Sequence, residues 1–243
     1  MNTAPETAAS ETPEIRLARL AGRYGGLGGI DLVRAMIDEF DRDIALVTSC
    51  GAEAAVLLDL VARADPAMPV VFLDTGLMFP ETLTYAETLR GHFGLRDFRV
   101  VKPDPRVLAA EDPDGALWRS DADRCCHLRK VVPLERALAG FGAWMTGLKW
   151  YHNFVRQDTK PVERVNGRFR ISPLAAWTPV RVAHEFAERN LPRHPLVAEG
   201  YPSIGCKPCT SPVRKGDGPR TGRWPGQEKT ECGIHQPVFG KDN

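Results

Sequence analysis

Apolar positions recur at helical spacing from about Ile15: Ile15, Leu17 and Leu20, then Leu32, Met36, Ile37 and Phe40. This pattern predicts two helices flanking the glycine-rich stretch 25–29. The next hundred residues alternate two kinds of pattern. Ile44-Ala45-Leu46-Val47 and Val70-Val71-Phe72-Leu73 are continuous apolar runs, as expected of strands covered on both faces of a parallel sheet. Phe98 to Val101 reads as a third strand and Ala143 to Met145 as a fourth. Between them, Ala52 to Ala64 carries Val56, Leu57, Leu60 and Val61 at helical spacing, and 80–92 opens on Pro80, which suits a helix's first turn. Residues 128–138 and 179–189 read as further helices. Strands alternating with helices of about a dozen residues predict an α/β fold with a doubly wound, mainly parallel sheet.

The pattern fails at both ends. Residues 1–14 are small, polar and broken by proline, and are expected to form a disordered tail. Residues 15–205 hold the α/β domain. Residues 206–243 are rich in Gly, Pro, Lys and Arg without hydrophobic period, and are expected to form an irregular C-terminal segment.

Composition narrows the class. With 243 residues, 43% hydrophobic and 26% charged, the chain has ordinary globular values. No apolar run reaches the roughly 20 residues that span a bilayer. The N-terminal stretch MNTAPETAASETPEIR lacks an apolar core, so no secretory leader is expected and a cytoplasmic location is. A formal net charge of +1 argues against a general nucleic-acid coat protein. That balance conceals a segregation: residues 117–170 are net +6 and residues 206–243 net +3, leaving −8 elsewhere. The basic stretches carry five of the six cysteines, which suits a compact anionic ligand better than a long polyanion; solvated basic faces are the alternative.

Three groups of residues carry candidate chemistry. Ser49-Cys50-Gly51-Ala52-Glu53 closes the first strand and opens the first helix of the sheet, where a small turn can offer backbone N–H groups to a phosphate or sulfate. A plain strand–helix turn capped by Ser49 is the alternative, and the GxxxxGK[ST] loop is absent. Leu73-Asp74-Thr75-Gly76 ends the second strand at the same sheet edge; Asp74 could bind a ribose hydroxyl or cap the next segment. Among the cysteines, Cys125-Cys126 and Cys206-Lys207-Pro208-Cys209 could bind an iron–sulfur cluster or zinc, or stand unligated. An adjacent pair is awkward for a structural zinc knuckle. Cys232 stands apart, flanked by Gly233 and near Arg220, Arg223, Lys229 and His235; cationic neighbours favour thiolate, so it reads as a solvent-facing nucleophile. Cys50, between strand and helix, reads as a small buried residue.

Seven co-linear stretches over about residues 40–235 (SCGAEAAVLLDL, VFLDTGLMFPET, CCHLRKVVPLERAL, AWMTGLK, ISPLAAWT, HPLVAEGYPSIGCKPCTSPV and RTGRWPGQEKTECGIH) resemble the adenylyl-sulfate and phosphoadenylyl-sulfate reductases of sulfate assimilation. The resemblance implies an adenine-nucleotide α-hydrolase-like fold with a modified P-loop at Ser49–Glu53. Members with both cysteine pairs carry a 4Fe-4S cluster and mostly use adenosine 5′-phosphosulfate; members without them mostly use the 3′-phosphorylated substrate. The resemblance thus implies Cys125, Cys126, Cys206 and Cys209 as cluster ligands, with a structural and electrostatic role. It implies Cys232 as a nucleophile that forms an S-sulfocysteine, resolved by thioredoxin or glutaredoxin. By motif match, Lys130, Arg220, Arg223 and His235 contact the phosphosulfate, Arg156 lies near the sulfate, and Leu73, Asp74, Thr75 and Gly76 line the adenosine. One stretch departs from the pattern. After Thr146-Gly147-Leu148 the family has two basic residues, then an aromatic or acidic residue, Gln and Ser, and soon an Arg; here Lys149 and Arg156 fit, while Trp150, His152 and Asn153 do not. No partner nucleic acid or membrane is implied, and a homo-oligomer stays open.

Overall fold

The computed structural model describes residues 11–214 and 216–235. Most of the expected N-terminal tail (1–10) lies outside the described residues, as does the end of the C-terminal segment (236–243). Thr12 caps the first helix, α1 (Pro13–Tyr24), by accepting the Ile15 amide on its hydroxyl at 3.3 Å, so the helix starts two residues before the periodicity does. α2 (Gly29–Phe40) follows. Then come β1 (Ile44–Thr48), α3 (Ala54–Ala64), β2 (Val70–Leu73), α4 (Pro80–His92), β3 (Phe98–Val101), α5 (Pro105–Glu111), α6 (Leu117–Ser120), α7 (Ala122–Cys126), α8 (Val132–Ala137), β4 (Ala143–Met145), β5 (Val162–Val165), β6 (Arg168–Ile171) and α9 (Pro179–Glu188).

The sheet runs β3-β2-β1-β4-β6-β5, parallel except for the last pair. Leu46 stands opposite Val70, and Ile44 opposite Ala143. Alternate residues of each strand feed two different cores. Ile44, Leu46, Val70 and Phe72 pack with α2, α3 and α4 on one face, while Ala45, Val47, Val71 and Leu73 pack with Leu134 and Leu138 on the other. This is why the strand runs are apolar at every position. Beyond the expected four strands, β5 and β6 form an antiparallel hairpin turned at Asn166 (φ 50°) and Gly167 (φ 79°). Val-Asn-Gly-Arg in an alternating stretch is a type I′ hairpin pattern that the reading of strands passed over.

Chain order places β2 and β3 on one side of β1 and β4 on the other, so strand order reverses at β1 and opens a crevice at the carboxyl ends of β1 and β4. The expected helix 128–138 is built in two pieces, a wide π turn at His127–Val131 and α8 with Pro133 near its start, and α7 runs directly into the π turn. The π turn brings Cys125, Cys126 and Lys130 to the sheet edge. It is anchored by Arg129, whose guanidinium donates to the Asp112 carboxylate (2.6 and 3.1 Å) and to the Thr75 carbonyl (2.9 Å). Both side chains of the pair are buried. Arg129→Met leaves Asp112 unpaired and is expected to cost about 3 kcal/mol or more in urea unfolding. Arg129 and the backbone amides of Leu117 and Ala116 overcome the burial of Asp112 and lower its pKa. The pair's contribution is therefore full above the usual carboxylate range and is lost as pH falls through the depressed value.

Among its described residues the C-terminal segment has no helix or strand beyond single turns at Lys207–Cys209 and Gly233–His235, and these residues are packed into the body. Trp224 is buried among Cys126, Cys206, Cys209 and Cys232. Isolated bridges join Met78 to Cys206 and Thr210 to Arg223.

Candidate active site

The crevice deepens into a cavity of about 210 Å³. Its floor is the turn after β1. Cys50 takes a left-handed conformation there (φ 48°), with its amide donating to the Thr48 hydroxyl at 3.0 Å. Ser49 is exposed and does not cap α3: the residue before the helix is Glu53, and no side-chain cap bond is made. The uncapped first turn of α3 therefore faces the cavity, with Ser49, Gly51, Ala52 and Glu53 in its wall. Cys50 itself is fully buried, and burial pushes its thiol up to about 12, as expected of an inert residue.

The opposite wall brings together Lys130, Arg156, Arg220, Arg223, Cys206, Cys232 and His235. Thirteen of the sequence-derived residues thus meet in one cavity, with Leu73 and Thr75 at its side. Asp74 and Gly76, expected to line the adenosine chiefly through backbone, are not among the residues of the cavity wall. Asp74 accepts the Gly76 amide (2.9 Å) and pairs with Lys102 (3.3 Å), so it caps its own turn outside the cavity wall. Gly76 takes φ 73° to make that turn.

Cys232 is not solvent-facing: it is 8% exposed, and its sulfur lies against that of Cys126. The Cys126 thiol, Lys130 and the Ile234 amide outweigh burial and lower its pKa well below an ordinary thiol's. Of the expected cationic neighbours, Lys229 instead pairs with Asp123. His235 is held neutral, because burial and then Arg156 lower its pKa; its ring stacks on Trp144 at 6.3 Å. It offers the site a hydrogen bond, and its buried Nδ1 has no partner.

Lys130 is the cation closest in effect to the sulfurs. Burial alone would lower its pKa, but Cys206, Cys232 and Cys126 raise it. Cys125, Cys126, Cys206 and Cys209 are all buried free thiols. Thr75 Oγ1 lies 3.2 Å from Cys206 Sγ, and the Trp224 amide donates to the Cys209 carbonyl at 3.0 Å. Among the described residues no three His, Cys, Asp or Glu side chains are grouped to hold a single metal ion. Arg223 passes close over Gly205, where a Cβ would collide with its guanidinium. Gly205→Ala is expected to displace Arg223 and weaken nucleotide binding about tenfold by titration calorimetry, with the urea midpoint nearly unchanged.

Lys149, Tyr151 and His152, which were not among the expected binding residues, also line the cavity. Glu53 accepts from Tyr151 (2.9 Å), His152 (2.9 Å) and Lys149 (2.9 Å). Burial opposes its charge, but His152 and Lys149 prevail and bring it to about 2. Glu231, next to the expected nucleophile, binds Arg156 through Nε and Nη2 (2.5 and 2.8 Å) and Arg220 (3.4 Å). Only the spacing of acidic and basic residues within these motifs could have hinted at such pairs.

A mainly parallel six-stranded sheet, with a cavity at its switch point that gathers Lys130, Arg156, Arg220, Arg223 and Cys232, has an adenine-nucleotide α-hydrolase-like fold. The same fold appears, at 17% identity and TM-score 0.53, in the FMN adenylyltransferase of Candida glabrata (87% of this chain, 71% of that one). Residues 43–212 match the family described as the phosphoadenosine phosphosulfate reductase domain, and the chain belongs to that family. It is 46% identical to a protein of Mesorhizobium japonicum named adenosine 5′-phosphosulfate reductase, over 90% of this chain and 87% of the relative. A protein of Geobacillus kaustophilus with the same name is 37% identical over 86% and 90%. The crystal structure of a phosphoadenylyl-sulfate reductase from Candida auris in complex with phosphate superposes with TM-score 0.69 at 25% identity, covering 85% of this chain and all of that one. Among the described residues no helix is long and apolar enough to cross a membrane.

Proposed function

We propose that the chain reduces adenosine 5′-phosphosulfate to sulfite and AMP, with thioredoxin or glutaredoxin as reductant, in cytoplasmic sulfate assimilation toward cysteine. The observation that carries this reading is the meeting of Cys232 with the Ser49–Glu53 turn and with Lys130, Arg156, Arg220 and Arg223 in one cavity. The Cys232 thiolate attacks the sulfate sulfur; an S–S bond forms, the S–O bond to phosphate breaks, and AMP leaves with the electron pair. A thiolate of the reductant then attacks Cys232 Sγ and releases sulfite. The reductant's second thiol resolves the mixed disulfide and restores Cys232. Thiolate and sulfate are both anionic, so the four cations offset their repulsion, and Lys130 acts on both at once. The α3 turn takes the phosphate, and Leu73 and Thr75 take the adenosine.

The donor chemistry fits a 4Fe-4S cluster. Cluster thiolates each reach a different iron, so their sulfurs stand wider apart than the roughly 3.8 Å of a tetrahedral zinc site. Four buried free thiols come from two stretches of the chain, three of them packed about Trp224, and Lys130 acts on Cys126 and Cys206; that donor set suits a cluster. Cys125, Cys126, Cys206 and Cys209 would hold the cluster, which supplies structure and an electrostatic field while both electrons come from thiols.

The test is mass spectrometry after adding the nucleotide without reductant. One SO3 unit on the Cys232 peptide is expected, and an unmodified peptide overturns the reading. The Candida auris neighbour favours a second reading, the 3′-phosphorylated substrate. Sulfite release assayed with each nucleotide decides between them, with preference for the unphosphorylated form expected.

A further inference from the structure

Two of the three residues that depart from the family pattern, His152 and Asn153, lie on the path between the Ser49–Glu53 turn and Cys232. His152 Nε2 meets Glu53 Oε2 at 2.9 Å, and its Nδ1 meets Arg156 Nη1 at 2.9 Å. Arg156 can only donate, so Nδ1 accepts and the proton sits on Nε2, facing Glu53. Arg156 then donates through Nε and Nη2 to the two oxygens of Glu231. Glu231 Oε1 accepts the Cys232 amide at 2.8 Å. Asn153 braces the same junction: its Nδ2 donates to Glu231 Oε2 (3.1 Å) and to the Thr230 carbonyl (3.2 Å), while its Oδ1 accepts the Arg156 amide (3.1 Å). Donor meets acceptor at every link.

We propose that Glu53–His152–Arg156–Glu231, braced by Asn153, is a positioning frame that registers the Cys232 backbone to the phosphate-binding turn. It deepens the reductase reading and rests on it for the role of Cys232. A neutral imidazole at 152 can accept from Arg156, whereas a cation there would face Arg156 with like charge and no acceptor. Arg156 keeps one N–H each on Nη1 and Nη2 for a substrate oxygen, while its fork is fixed by Glu231. The frame therefore sets two things together: where the sulfate-facing arginine points and where the attacking sulfur starts. Misplacement by about 1 Å can cost on the order of 100-fold in rate, so the frame acts on turnover more than on binding.

The experiment compares the full chain with its cofactor as wild type, His152→Ala and His152→Asn. His152→Ala is expected to lower kcat about 30-fold with KM within threefold, and to raise hydrogen exchange at residues 231–235 about tenfold. His152→Asn keeps an acceptor for Arg156 and is expected to recover most of kcat. Unchanged exchange in His152→Ala, or a loss confined to KM, overturns the frame. If His152→Ala does not fold, Asn153→Ala gives the same reading: faster exchange at 231–235 supports the frame and unchanged exchange refutes it. The exchange measurement needs no substrate, so a wrong reductase reading shows separately, as a wild type that releases no sulfite.

Discussion

Cys232→Ser is expected to lose sulfite release by about 10⁴-fold or to background, while AMP binding stays within a few-fold of wild type. The change replaces one atom. A serine hydroxyl stays protonated where a thiol beside Lys130 and the Ile234 amide is ionised, so the nucleophile is lost. The binding groups are untouched: the α3 turn belongs to another part of the chain, and Arg156 and Arg220 are held by Glu231, whose contact with residue 232 is to the backbone amide. Hydrogen exchange at 231–235 should therefore match wild type. Sulfite release within tenfold of wild type would overturn the assignment, and so would an SO3 adduct found on another cysteine.

Cys206→Ala is expected to lower iron and acid-labile sulfide about tenfold and to bleach a brown protein. Cys206 is held through backbone and side chain alike. Its backbone bridges Met78, its sulfur contacts Thr75 Oγ1, and the Lys207 amide donates to the Leu77 carbonyl at 2.7 Å. Removing it takes away the sulfur that joins the putting-together of the C-terminal segment to β2's carboxyl end. Loss of a ligand also releases Lys130 from a neighbour that raises its pKa. Retained iron and sulfide would refute the ligand assignment, and a colourless wild type holding stoichiometric zinc would replace the cluster with a single ion.

Much of the fold was legible because burial on both sheet faces leaves a trace in the chain. The runs at Ile44 and Val70 are apolar at every position for the same reason that they lie in the sheet's centre. β5 and β6 escaped because Val162–Val165 and Arg168–Ile171 mix charge with apolar residues: Glu163 and Arg170 pair across the hairpin at 2.9 Å. The helix expected at 128–138 hid a π turn, since Pro133 lacks an amide hydrogen and changes the hydrogen bonding without breaking the apolar period.

The candidate site divides in the same way. Residue types announced the chemistry: thiols in pairs, a lone thiol among cations, a small turn after a strand. Their states were set by the surroundings. His235 and His152 are neutral through burial, with His152 brought to about 4, and Cys232 is in the wall of a cavity instead of in solvent. Of the two readings open for Asp74, a ribose contact or a cap, its side chain makes the cap of its own turn.

By itself the sequence determined the alternation of strands and helices, the cysteine inventory and the membership of a reductase family, because these are written in local period and residue type. The tertiary structure alone decided which cations face Cys232 and which are already neutralised. Arg156 meets Glu231 across 75 positions and Tyr151 meets Glu53 across 98. Polar and charged groups so far apart in the chain acquire their interaction energies only when folding removes water and sets the distance between them.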